Sequence, residues 1–115
     1  MNEIEFIDMP INRKRLKEIA EKRFGDMVKG VVDTEKAIMA LGGELHADEE
    51  AFLLEKGSRQ QDLWGINLYP DLEMPDMLEF DSMINIRPSQ NNRSRGVENP
   101  VTRNKIESIV RRLIL

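Results

Sequence analysis

The chain has 115 residues, 40% of them hydrophobic and 33% charged, which suits one globular domain and leaves no room for a second core. With no cysteine and a single histidine, disulfide frameworks, thiolate or multi-histidine metal sites and cysteine nucleophiles are excluded within one chain. The formal charge of -4 argues against a general nucleic-acid coat but not against a local basic patch.

The opening stretch MNEIEFIDMP is acidic and alternating, so neither a signal nor a transit peptide is expected. No run approaches the roughly 18 apolar residues of a membrane span, and the expected compartment is the cytoplasm. Ile4 and Phe6 alternate with polar neighbours and predict a short strand ending before Pro10. Asn12 is a suitable cap for a helix from Arg13 to Phe24, with Leu16, Ile19 and Ala20 at helical spacing and Gly25 closing it. Arg13, Lys14, Arg15, Lys17, Lys22 and Arg23 fall on its outer face. Met27 to Asp33 and Lys36 to Leu41 predict a hairpin, ended by Gly42-Gly43.

Residues 44–56 read two ways. A helix would place Asp48, Glu49 and Glu50 in its first turn and turn Ala51, Leu54 and either Phe52 or Leu53 inward. A strand with a Lys-Gly turn is the alternative, and the helix is preferred. Leu63 to Tyr69 predicts a strand ended by Pro70. Leu78 to Arg87 alternates most clearly, with Leu78, Phe80, Ser82, Ile84 and Ile86 on one face. Ser89 to Glu98 predicts a loop. Asn99-Pro100 then opens a last helix with Ile106, Ile109, Val110 and Leu113 inward. The order β-α-β-β-α-β-β-α predicts an α+β fold. It should have a mainly antiparallel sheet of four to five strands and about three helices, packed mostly on one face.

The segments GGELHADEEAFLLEKGS (42–58), DLWGINLYP (62–70) and EFDSMINIRPSQNNRSRGVENP (79–100) resemble a family of short bacterial and archaeal proteins of unknown function. The resemblance covers most of the chain. It implies a prokaryotic protein and brings no reaction, cofactor, partner or catalytic residue with it.

Three features could carry chemistry. If the strands at 63–69 and 78–87 are neighbours, Trp64, Ile66 and Leu68 share the core face with Phe80, Ile84 and Ile86. Gly65, Asn67, Tyr69, Glu79, Asp81, Asn85 and Arg87 then share a polar face. Gly65 would admit a close approach to the backbone. The plain alternative is a solvated sheet face. Second, Arg87, Arg93 and Arg95, with Asn91, Asn92, Ser89 and Ser94, occupy an acid-free stretch from Ser82 to Val97 that leads into a helix N-terminus. Guanidinium groups bind phosphate and carboxylate bidentately, so this loop is a candidate anion site. The alternative is pairing with the acidic stretches at 44–55 and 71–81. Third, His46 between Glu44 and Asp48 could serve as an acid or base, most plausibly with Asp81. His46-Ala47-Asp48, Ser58 and Asp62 superficially resemble the motif of JAMM-type zinc isopeptidases. The second histidine and the proline of that motif are missing, and no metal is expected. No Walker, dinucleotide or nucleophile-elbow pattern occurs, so the cofactor stays unassigned.

The leading expectation is a ligand-binding domain. Arg87, Arg93 and Arg95 would hold an anionic group, and Asn67, Asn85, Asn91 and Asn92 would orient the ligand. A non-catalytic interaction module, a homo-oligomer or a regulatory subunit, is the second reading. An RNA-backbone binder using the first helix and the arginine loop is the third.

Overall fold

The computed structural model describes residues 3–115. Its elements are β1 (Glu5–Ile7), α1 (Arg13–Glu21), β2 (Val28–Asp33), β3 (Ile38–Leu41), α2 (His46–Glu55), β4 (Leu63–Leu68), β5 (Leu78–Glu79) and α3 (Pro100–Leu113). The five strands form one sheet in the order β1-β3-β2-β4-β5, and every neighbouring pair is antiparallel. The fold is therefore α+β with three helices. No described helix is long and apolar enough to cross a membrane.

Both asparagine caps form. The Asn12 side chain accepts from the Arg15 N–H at 2.8 Å, and that of Asn99 accepts from Val101 at 2.8 Å. α1 ends at Glu21, a turn earlier than its apolar spacing suggests. Gly25, at φ +91°, lets its N–H reach back to the Ala20 carbonyl. The helices divide between the two faces of the sheet. Leu16, Ile19 and Ala20 of α1 and Ile106, Ile109, Val110 and Leu113 of α3 pack on the face that carries Val28, Val32, Met39, Leu41, Trp64, Ile66 and Leu68. α2 lies on the other face, where Leu53 meets Val31, Ala40 and Leu63.

The inward face of α2 differs from the expectation. Ala51 and Leu54 are exposed, while Leu53 and Glu49 are fully buried. Leu53 fills the gap over β2 and β4. One turn earlier Glu49 is then driven under the helix, where its Oε2 accepts the Gly43 N–H at 2.9 Å.

The strand expected over Leu78 to Arg87 is the largest correction. Only Leu78 and Glu79 pair with β4, opposite Leu68 and Asn67. Beyond them the chain forms a 3-10 turn over Met83–Asn85, capped by the Ser82 hydroxyl, and another over Pro88–Gln90. The main chain leaves the sheet because a side chain takes its place. The Asn85 amide oxygen accepts the Gly65 N–H at 2.8 Å, and its nitrogen donates to the Gly65 carbonyl at 3.0 Å. Phe80 therefore packs on the α1–α3 side and Ile84 on the α2 side, while Ile86 is exposed, so the three do not share a face.

The β2–β3 hairpin is closed by Asp33. Its Oδ1 accepts the N–H groups of Glu35 and Lys36, and its Oδ2 accepts the Ser58 hydroxyl at 2.6 Å. The same turn holds Ala37 at φ +57°, a left-handed conformation that costs a residue with a Cβ about 1–2 kcal/mol. Glycine removes that cost but adds about 0.5–1 kcal/mol of unfolded-state entropy. Ala37→Gly is therefore expected to raise stability by about 0.5 kcal/mol in urea denaturation. A loss would mean that the turn is not strained.

Candidate functional site

A cleft of 490 Å³ opens between the N-terminus of α2, the β2-β4-β5 face and the segment after β5. Sheet register builds its floor. Lys29 stands opposite Asn67, and Asn67 opposite Glu79, which sets a cation, an amide and an acid in one row across three strands. Directly opposed side chains of this kind are about 5 Å apart. The row is tied at its acidic end. Asn67 Nδ2 donates to Glu79 Oε1 at 2.9 Å and to the Asp81 carbonyl at 3.2 Å, and the Tyr69 hydroxyl donates to the same Glu79 oxygen. Burial and the bond to Glu79 push the Tyr69 phenol pKa up and keep its proton in place.

His46, the first residue of α2, lies half-buried over β4. A Cβ on Gly65 would stand 2.5 Å from the Ser82 Cβ and 3.2 Å from the imidazole Cδ2. The close approach expected at Gly65 is thus made by Ser82 and His46. The ring Nε2 lies 2.8 Å from the Ile66 carbonyl. A carbonyl only accepts, so Nε2 carries the proton and the neutral ring keeps its lone pair on Nδ1. Burial lowers the His46 pKa, and Lys29 lowers it further. The Ile66 carbonyl, Asn67 and Asp81 oppose the shift without reversing it. At neutral pH the ring is an acceptor.

Asp81 and Arg95 complete the rim, with Arg95 Nε 2.6 Å from Asp81 Oδ1. Both side chains are substantially exposed, so the pair is worth no more than about 1 kcal/mol. The remaining guanidinium donors of Arg95 make no bond among the described residues, and neither does the Lys29 ammonium, which lies 5.3 Å over the Phe24 ring. Leu45 caps α2 with no side-chain bond, and Leu45, His46 and Ala47 at this helix start line the cleft.

Of the residues singled out in the sequence for catalysis or ligand binding, His46, Asp81, Asn67 and Arg95 come together here, with Tyr69 and Glu79 of the expected polar face beside them. The remaining arginines and asparagines of that set lie elsewhere. Arg87 stacks on the Trp64 ring at 4.0 Å and donates to the carbonyls of Gln60 and Leu63, which spends it on fastening the loop to β4. Asn85 is fully buried, and its nitrogen also donates to the Arg95 carbonyl at 2.9 Å. Asn92 holds the loop together from within. It donates to the carbonyls of Asn85, Ser94 and Gly96 and accepts from the Glu98 N–H. Asn91 sits at φ +60° on the surface, in a polar groove beside the start of α3. Arg93 is exposed and does not line the cleft. The loop does hold an anion, and it is the chain's own. The Glu98 carboxylate accepts the N–H groups of Arg93 and Ser94 at 3.1 and 2.9 Å, and bonds from Ser94 and Arg93 lower its pKa.

The acidic stretch at 71–73 meets α1 instead of the arginine loop. Lys17 pairs with Asp71 at 2.9 Å, and Arg13 lies 3.6 Å from Glu73. Arg15 pairs with Glu5 and Glu18. Much of the basic face of α1 is thereby neutralised within the chain.

Sequence reasoning missed Lys29 and Glu49. The alternation in VKGVVD could have revealed Lys29, since it puts this residue on the same side as Val31 and Asp33. Among the described residues no group of three or more acids or histidines could hold a metal ion.

The fold and cleft define a small α+β domain with a mixed-charge, partly apolar pocket over an antiparallel sheet. The family model "Protein of unknown function (DUF5674)" matches residues 5–113, and the chain belongs to that family. No curated protein and no solved structure matches it.

Proposed function

We propose that this chain is a prokaryotic, cytoplasmic ligand-binding domain whose site is the His46 cleft. The ligand's anionic group is held between Lys29 and Arg95. The observation that carries this reading is the convergence of two cations with open donors on one half-buried pocket, in a protein whose other arginines at 87–95 are spent on backbone or turned outward. The uncapped start of α2 favours negative charge at the same place. His46 offers an acceptor that stays neutral at physiological pH, so any proton taken from a bound ligand would go to Nδ1.

The test is titration with acetate and with inorganic phosphate, followed by amide chemical shifts. Lys29→Ala and Arg95→Ala are expected to weaken binding about tenfold each, the loss of one charge-assisted contact. Arg93→Ala, outside the cleft, is expected to leave it unchanged. Equal weak binding by all three variants would remove the proposal.

A further inference from the structure

We propose that the ligand is a free aliphatic α-amino acid, an inference that rests on the cleft reading above. Charge is the first argument. Lys29 and Arg95 are balanced by Glu79 and Asp81, so the empty site is neutral with its neutral imidazole. A dianion such as phosphate would leave it strongly negative, and a zwitterion leaves it balanced.

Hydrogen bonding is the second argument. The donors with nothing to bind are on Lys29 and Arg95. A buried acceptor of the cleft with no partner among the described residues is Asn67 Oδ1, and Glu79 and Asp81 retain lone pairs beyond those engaged. A carboxylate satisfies the first set and an ammonium the second. The row from Lys29 through Asn67 to Glu79 spans two strand spacings, about 10 Å between backbones, and Arg95 joins its acidic end through Asp81. The cleft therefore offers both signs of charge close together, as a carboxylate and an ammonium one carbon apart require.

Part of the rim of the cleft is apolar. Leu45 and Met83 are large apolar side chains left 53% and 65% exposed at the mouth, with Met27 and Ile84 beside them. The polar floor and apolar mouth fit a charged head with an aliphatic side chain pointing outward, which would cover Leu45 and Met83.

The experiment compares leucine, glycine, hexanoate and hexylamine against the whole chain by calorimetry, with amide shifts locating the site. Leucine is expected to bind at least about tenfold more tightly than each of the others, because each lacks one of the three contacts. Replacing both Leu45 and Met83 by serine should bring the leucine-to-glycine ratio down toward one. Met9→Ser, an equally exposed apolar change outside the cleft, should not. If hexanoate or acetate binds at the cleft as tightly as leucine, the amino-acid inference fails and the anion site survives. If none of the probes moves a cleft resonance, both fail.

Discussion

Asn85→Ala is expected to destabilise the protein by about 3 kcal/mol or more, which for a domain of this size lowers Tm by roughly 15 °C. The side chain is fully buried, and its three hydrogen bonds all end on backbone: the Gly65 N–H, the Gly65 carbonyl and the Arg95 carbonyl. Alanine leaves two sheet groups of β4 without partners in a place that water does not reach, at about 1–3 kcal/mol for each. Asn85→Asp does no better, since it turns a carboxylate oxygen toward two carbonyls. The damage should reach the cleft, because Asn85 and the Ser82 N–H together hold the Arg95 backbone in place. Urea denaturation measures the effect. A loss below about 1 kcal/mol would mean that Asn85 is not the partner that closes the β4 edge.

Glu49→Gln should have the opposite sign and a pH signature. Burial raises the Glu49 pKa well above its ordinary value. The Gly43 N–H, Lys29 and Arg23 favour the ionised form without cancelling that effect, and Asp48 adds to the rise. In the unfolded chain the carboxyl ionises near pH 4.5, while the native state resists. The unfolded state therefore releases its proton first, and stability falls as pH rises above 4.5 toward the native value. Glutamine keeps an oxygen for Gly43 and has no proton to lose. The variant is expected to be more stable than the parent by at least about 1 kcal/mol at pH 8, with the difference closing toward pH 4. His46 acts in the other direction. Its lowered pKa makes the unfolded state take up a proton first, so its contribution declines as pH falls below about 6.5. Tm measured against pH separates the two. A Glu49→Gln difference independent of pH would contradict the burial of an ionisable carboxyl.

The elements with strong local signals were legible in the chain: both asparagine-capped helices, the β2–β3 hairpin and the α+β class. What the sequence concealed has a common physical cause. The alternation from Leu78 to Ile86 obeys a period of two, but periodicity does not say whether main chain or side chain meets the neighbouring strand. The carboxamide of Asn85 can imitate a peptide group, and it does so at Gly65. Glu49 reads as one of three acids suited to a helix start. Only the packing of Leu53 decides that it points down. The arginine loop was visible as an anion-binding composition, yet its anion, Glu98, lies within the same segment. Four of the site residues singled out in the sequence do meet in the cleft. Lys29, from β2, joins them only through sheet register, which pairs residues 38 positions apart.

On the proposed reading an anionic group binds beside His46, between Lys29 and Arg95. The chain has one histidine, so its imidazole resonance reports on the cleft alone. In the free protein the ring should titrate below its ordinary value, with the proton on Nε2. Because Lys29 contributes to that lowering, saturating acetate should move the His46 midpoint upward, and Lys29→Ala should move it upward without acetate. A midpoint that acetate leaves unmoved, while resonances elsewhere on the protein shift, would contradict the assignment of the site.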